Sequence, residues 1–179
     1  SVKKSIKQNI AGVANLSKER LMSELKKIIL SKNFLQLPKD PFSLEILTTI
    51  FPQLVNLNYL EKINEYSKNI FNKKTFIFLI SYLTIDETDN ANYFLFKYNL
   101  SNEDKKRIKF LIENFELFSE KDYFNKKNLQ KIFYFNNKSY VIDLLDLKIF
   151  NSKKAPKKLI ELKKYFEQFK KPIFPLKAH

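Results

Sequence analysis

At 179 residues and 44% hydrophobic composition the chain has enough apolar material to bury a core, which excludes disorder throughout. One glycine excludes phosphate loops of the GxxxxGK[ST] or GxGxxG kind, and a chain so poor in glycine cannot turn many hairpins, so an all-α fold is expected. No cysteine, and one histidine at position 179, exclude disulfides, His/Cys zinc sites and histidine-based triads, while a formal charge of +14 would attract a polyanion.

In chain order, Ile6, Ile10 and Val13 suggest an opening helix that ends near Gly12, followed by a short Ala14-Asn15 link. Ser17 then caps a helix over Leu16 to Leu30, with Leu16 and Leu21 placed as a hydrophobic staple. Its apolar stripe of Leu21, Leu25, Ile28 and Ile29 is expected to pack on Leu44, Leu47 and Ile50. Those three belong to the next helix, which opens at Asp40-Pro41 and is interrupted by Pro52. Leu60, Ile63, Tyr66 and Ile70 extend the helical rhythm in one run.

Lys73 to Leu83, with FIFLI at its centre, reads equally as a buried strand or a buried helix; the shortage of glycine and of a pairing partner favours the helix. Asp86, Glu87 and Asp89 mark a loop, and Tyr93 to Tyr98 is a short aromatic segment. Ser101 with Asp104 three residues on caps a helix carrying Ile108, Leu111, Ile112 and Phe115. Leu129, Ile132 and Phe133 indicate another, and Val141 to Ile149 one more. The stretch 151–155 is the best linker, so residues 1–150 are expected to form a helical body and 151–179 a linker, an amphipathic helix from Pro156, and the start of a tail. No apolar run approaches the roughly 20 residues of a membrane span, and the first ten residues lack a secretory core, which predicts a cytoplasmic protein without a membrane partner.

Chemistry is then left to carboxylates and lysines. Asp86, Glu87 and Asp89 could hold magnesium, although loops before helices also attract acids for capping. Asp143 and Asp146, three apart on a helix, read more readily as a solvated or lysine-paired face than as a catalytic pair. Lys157, Lys164 and Lys171 recur every seven residues, roughly 10 Å apart on a helix, opposite Leu159, Leu162 and Phe166. With Lys153 and Lys154 they are the candidate RNA-binding residues; the alternative is an ordinary solvated face. Phe166 and Phe169 fit the core better than a base-stacking platform. The basic residues are nearly all lysine, and Lys, Asn, Ile, Phe and Tyr share AT-rich codons, so compositional drift is a second source of the charge.

Four segments carry a resemblance. They are Leu16-Ser17-x-Glu19-Arg20-Leu21 with Glu24-Leu25 and Ile28, then Ile50-Phe51-Pro52-Gln53-Leu54, Leu100-Ser101-Asn102-x-Asp104, and Phe174-Pro175-Leu176-Lys177-x-His179. In order and spacing they resemble the C-terminal half of the bacterial tRNA nucleotidyltransferase and poly(A) polymerase family, across nearly the whole chain. The family's catalytic Gly-Ser pair, its Asp-x-Asp metal motif and its Glu-Asp-x-x-Arg nucleotide motif are not in this sequence. The resemblance therefore implies a piece of a longer enzyme, cut at both ends: an all-α body and partial tail, without catalytic residues or cofactors of its own. It would hold tRNA or another structured RNA while a head on the same polypeptide, binding magnesium and CTP or ATP, adds nucleotides. Glu19, Arg20 and Glu24 would stabilise the neck. Two other readings stay open, an all-helical protein-interaction module with no RNA role and a small magnesium enzyme built on Asp86, Glu87 and Asp89.

Overall fold

With only one glycine, the chain enters most of its helices through polar caps in extended backbone. Side-chain oxygens of Ser17, Asp40, Asn64, Thr75, Ser101, Asn125 and Asn137 each accept a hydrogen bond from a free amide in the first turn of a helix. Among the described residues no backbone takes a positive φ. Asparagine thus does here what glycine does elsewhere, by satisfying the helix end rather than by loosening the chain.

A computed structural model describes residues 1–13 and 15–172. The helices are α1 (Val2–Val13), α2 (Lys18–Ile29), α3 (Pro41–Ile50), α4 (Glu65–Ile70), α5 (Phe76–Thr84), α6 (Asn90–Lys97), α7 (Asn102–Phe115), α8 (Lys126–Phe135), α9 (Lys138–Phe150) and α10 (Lys157–Gln168). Tight 3₁₀ turns at Phe34–Lys39, Leu57–Lys62, Phe71–Lys73 and Glu116–Ser119 fill connections between them. The fold is all-α, with no strand among the described residues. No described helix is long and apolar enough to cross a membrane. The tail segment Phe174 to His179 and residue Ala14 lie outside the described residues.

Two helices sit at the centre. FIFLI forms α5, where eight of nine residues are buried. A helix tolerates that environment because each backbone group is paired within it, and the buried hydroxyls of Ser81 and Thr84 donate back to the carbonyls of Ile77 and Ile80, both at 2.7 Å. Helix α9 serves two cores. Leu144, Leu147 and Phe150 face the main one, with α2, α3, α5, α6 and α7, whereas Val141 and Leu145 face a smaller one with Leu129, Phe133, Leu162 and Phe166 of α8 and α10. Helix α10 therefore returns across the linker to pack on α9.

Two expectations are corrected. The run from Leu60 to Ile70 is broken at Ile63-Asn64, because Asn64 Oδ1 caps Ser67 while its Nδ2 donates to the carbonyls of Ile149 (2.7 Å) and Ser152 (2.9 Å). One buried amide thus ties the start of α4 to the end of α9. Helix α2, in turn, sends Met22, Leu25 and Ile29 into the main core beside α5. Against α3 it leaves an apolar groove of about 400 Å³ between Leu21, Ile28, Leu47 and Ile50, so that packing is only partial.

Phe150 is the hub of the main core. Its ring lies 6.2 Å from Phe71, 5.1 Å from Phe78 and 5.3 Å from Tyr82, the last two edge-to-face. Phe150→Ala is expected to cost about 3–5 kcal/mol, the usual range for an emptied aromatic site, measured by urea denaturation. A loss below about 1 kcal/mol would mean that the surrounding rings collapse into the space.

Candidate nucleic-acid interface

The charge is segregated along the chain. Residues 1–57 hold nine basic and four acidic side chains, 58–120 hold nine and ten, and 121–172 hold fourteen and five. Basic side chains are as many in the middle as in the N-terminal helices, which differ from it in having fewer acids. The excess of lysine itself belongs to the α8–α10 unit, where codon drift alone would not concentrate it.

In that unit Pro156 turns the chain into α10, and the smaller core takes Leu162 and Phe166 with Leu159 and Phe169 packed beside them. Lys157 and Lys164 are left exposed on the outer side, as are Lys153 and Lys154 in the linker. Lys126 of α8 lies 4.4 Å over the ring of Tyr165, whose hydroxyl accepts from Gln130 at 2.9 Å, so the α8 lysines border α10. Lys138 donates to the carbonyl of Glu167 (2.7 Å), a cation at the negative end of α10.

Lys171 does not continue the stripe. Helix α10 ends at Gln168, because Pro172 lacks an amide and its ring would meet the carbonyl four residues back. Lys171, exposed beyond the helix, reaches across to donate to the carbonyl of Tyr134 at 3.1 Å. The α10 stripe itself is Lys157 and Lys164, and Lys171 joins the α8 end of the same unit.

The carboxylates on α9 are paired but not solvated, which corrects half of the sequence expectation. Asp143 accepts from Arg107 Nε at 2.5 Å, and the wholly buried Asp146 pairs with Lys74 of the loop before α5 and with Lys163 of α10, at 2.8 Å. Burial pushes the Asp143 carboxyl above its ordinary range, against the opposing pull of Arg107. Burial likewise pushes Lys74 down despite Asp146. For Lys163 burial also pulls down, but the charge and hydrogen bond of Asp146 outweigh it and raise the ammonium. Lys163 is further held 5.4 Å over Tyr66. Sequence reading missed this lysine, although its position announces it: with Leu159, Leu162 and Phe166 it occupies the buried face of α10. The network pairs the buried carboxylates of α9 with cations from three other parts of the chain, so it fixes α10 on the body.

The remaining candidates lie apart from this unit. Glu19, Arg20 and Glu24 are exposed on α2, where Glu24 accepts from Lys27 at 2.9 Å. Asp86 spends one oxygen on the amide (2.9 Å) and hydroxyl (2.6 Å) of Thr88, and Asp89 accepts from Asn92 at 2.8 Å. Among the described residues no group of three or more His, Cys, Asp or Glu side chains is placed to hold a metal ion.

Comparison with known proteins adds one finding. Residues 1–57, which hold α1, α2, α3 and the Phe51-Pro52-Gln53-Leu54 turn, match the family model described as "Probable RNA and SrmB- binding site of polymerase A". No curated protein and no solved structure matches the chain. The match supports a poly(A) polymerase-family RNA-binding region at the N-terminal end of an all-α chain.

Proposed function

We propose that this chain is the RNA-holding part of a tRNA nucleotidyltransferase or poly(A) polymerase, with no catalysis of its own. The observation that carries the reading is the match over residues 1–57; the lysine-rich α8–α10 unit at the other end supports it. In this reading residues 1–150 form the body and residues 151–179 begin a tail, in a cytoplasmic enzyme. Glu19, Arg20 and Glu24 brace the neck. A head on the same polypeptide, binding magnesium and CTP or ATP, adds nucleotides to the 3′ end that the body presents.

Binding is backbone-directed. A-form RNA has a deep, narrow major groove closed to side chains, so lysines on rigid helices meet phosphates and 2′-hydroxyls, and the RNA is recognised by shape. Lys153, Lys154, Lys157, Lys164 and Lys171 lie in one unit whose α10 is locked to α9 through Lys163 and Asp146, so their spacing is preset.

The test is a salt titration of tRNA binding by the isolated chain. The logarithm of affinity is expected to fall linearly with the logarithm of salt, with a slope of about −3 for roughly four lysine–phosphate contacts. A flat dependence overturns the electrostatic mechanism. Absence of binding at low salt favours the protein-interaction reading, which the apolar α2–α3 groove supports.

A further inference from the structure

Between the 3₁₀ turn at Leu57–Lys62, the loop at Asp86 and the C-terminal end of α9 lies a cleft of about 490 Å³. That volume falls in the ~300–1,000 Å³ range of small-ligand sites. Its polar and aromatic groups are not arranged as an ordinary surface dip. Tyr59 at its edge is 55% exposed, with Lys62 Nζ 5.6 Å from its ring centroid. Tyr82 in its wall is only 3% exposed, and its ring packs on Phe150. Tyr82 lines the cleft, and no hydrogen bond to its hydroxyl is present among the described residues, so this donor is available to a ligand there.

The wall is held rigidly. Asn56 Nδ2 donates to the carbonyls of Tyr82 (2.8 Å) and Ile85 (2.7 Å), which fixes the buried ring against the acidic loop. Asp86 keeps one carboxylate oxygen outside its Thr88 turn, and Glu87 is exposed and makes no ion pair among the described residues. Lys153, after α9, closes the opposite side.

We propose that this cleft is a subsite for one unpaired RNA nucleotide whose base carries an exocyclic amine. The base stacks on Tyr59, as single-stranded bases do on exposed aromatic rings. The carboxylates of Asp86 and Glu87 accept from the N6 amine of adenine or the N4 amine of cytosine. Uracil presents a carbonyl at that position, which a carboxylate repels. Lys62 and Lys153 meet the flanking phosphates and offset the two acids, and the Tyr82 hydroxyl donates to the base or ribose. Lys153 thereby links the cleft to the basic α8–α10 unit, so an unpaired 3′ segment next to a bound duplex would enter it. The inference rests on the RNA-binding reading and adds to it a preference that phosphate contacts cannot supply.

Fluorescent oligo(A), oligo(C) and oligo(U) are titrated with the full chain, beside an RNA hairpin without overhang. Oligo(A) and oligo(C) are expected to bind about tenfold tighter than oligo(U), the scale of one stacked and hydrogen-bonded base. Tyr59→Ala erases that difference and Glu87→Gln narrows it, while hairpin affinity is unchanged. Tyr59 is exposed, so its replacement leaves the fold intact, which a thermal melt checks. Tyr82→Phe removes only a hydroxyl that makes no hydrogen bond among the described residues, and it is expected to weaken oligo(A) about 2–10-fold at unchanged stability. Equal binding of all three oligonucleotides, or a preference that survives Tyr59→Ala, overturns the subsite and leaves the hairpin result standing for the RNA-binding reading. Failure of the wild-type chain to bind any of these RNAs overturns both.

Discussion

Asp146→Ala is expected to destabilise the protein by about 3–5 kcal/mol, the cost of leaving buried cations without their counter-charge. Asp146 has no exposed side-chain surface, and the side chains of its partners Lys74 and Lys163 are only 14% and 6% exposed. Neither lysine can swing fully into water without pulling its own helix terminus or α10 away from the body. Burial already holds the Lys74 ammonium below its ordinary range with the carboxylate in place. Removing that carboxylate favours the neutral amine further, so the variant is expected to lose least stability at alkaline pH. Urea denaturation of wild type and variant at neutral and alkaline pH measures both effects. The combined change Asp146→Leu, Lys74→Met and Lys163→Met, which removes all three charges together, is expected to recover most of the loss. If the single variant were as stable as wild type, the buried network would not be what holds α10 on α9.

Lys157→Glu with Lys164→Glu is expected to lower tRNA affinity by about 10–100-fold at low salt and to reduce the steepness of the salt dependence by about two contacts. Both side chains are exposed on α10 and make no ion pair among the described residues, so reversing them should leave stability within about 0.5 kcal/mol. A matched reversal of two exposed lysines in the charge-balanced middle of the chain, Lys106→Glu with Lys109→Glu on α7, is the control. Equal losses from the two pairs would show that net charge, and not the α8–α10 unit, captures the RNA.

The two variants differ in how visible their targets are in the sequence. The lysine stripe and the caps are local patterns. Ser17, Asp40 and Ser101 announce their helices because the hydrogen bonds they make reach only two or three residues along the chain. Pro156 ahead of Leu159, Leu162 and Phe166 announces α10 in the same way. The segments resembling a nucleotidyltransferase body are local too, and the first two lie in the span that matches the RNA-binding family model.

Asp146 looked like one more acid on a helix face because its partners stand 72 residues before it and 17 after it, and only the meeting of α9 with α10 and the α5 entry brings them together. Asn64 is comparable: its bonds to the carbonyls of residues 149 and 152 span nearly half of the chain, and they split a run that periodicity alone joins. Lys171 keeps the heptad spacing in the sequence and leaves it in space, since Pro172 ends the helix first.

By itself the sequence determined an all-α chain with capped helices, one nearly free of glycine, and a lysine excess concentrated toward its C-terminal end. Those properties depend on backbone hydrogen bonds and side-chain spacing within a few residues. Tertiary structure alone decided which lysines are buried and which face water, and it alone brought Tyr59, Tyr82, Asp86 and Lys153 around one cleft. The reason is physical. A charge or a hydroxyl takes its role from what surrounds it in three dimensions, and that is set by which helix faces pack together to bury their apolar stripes.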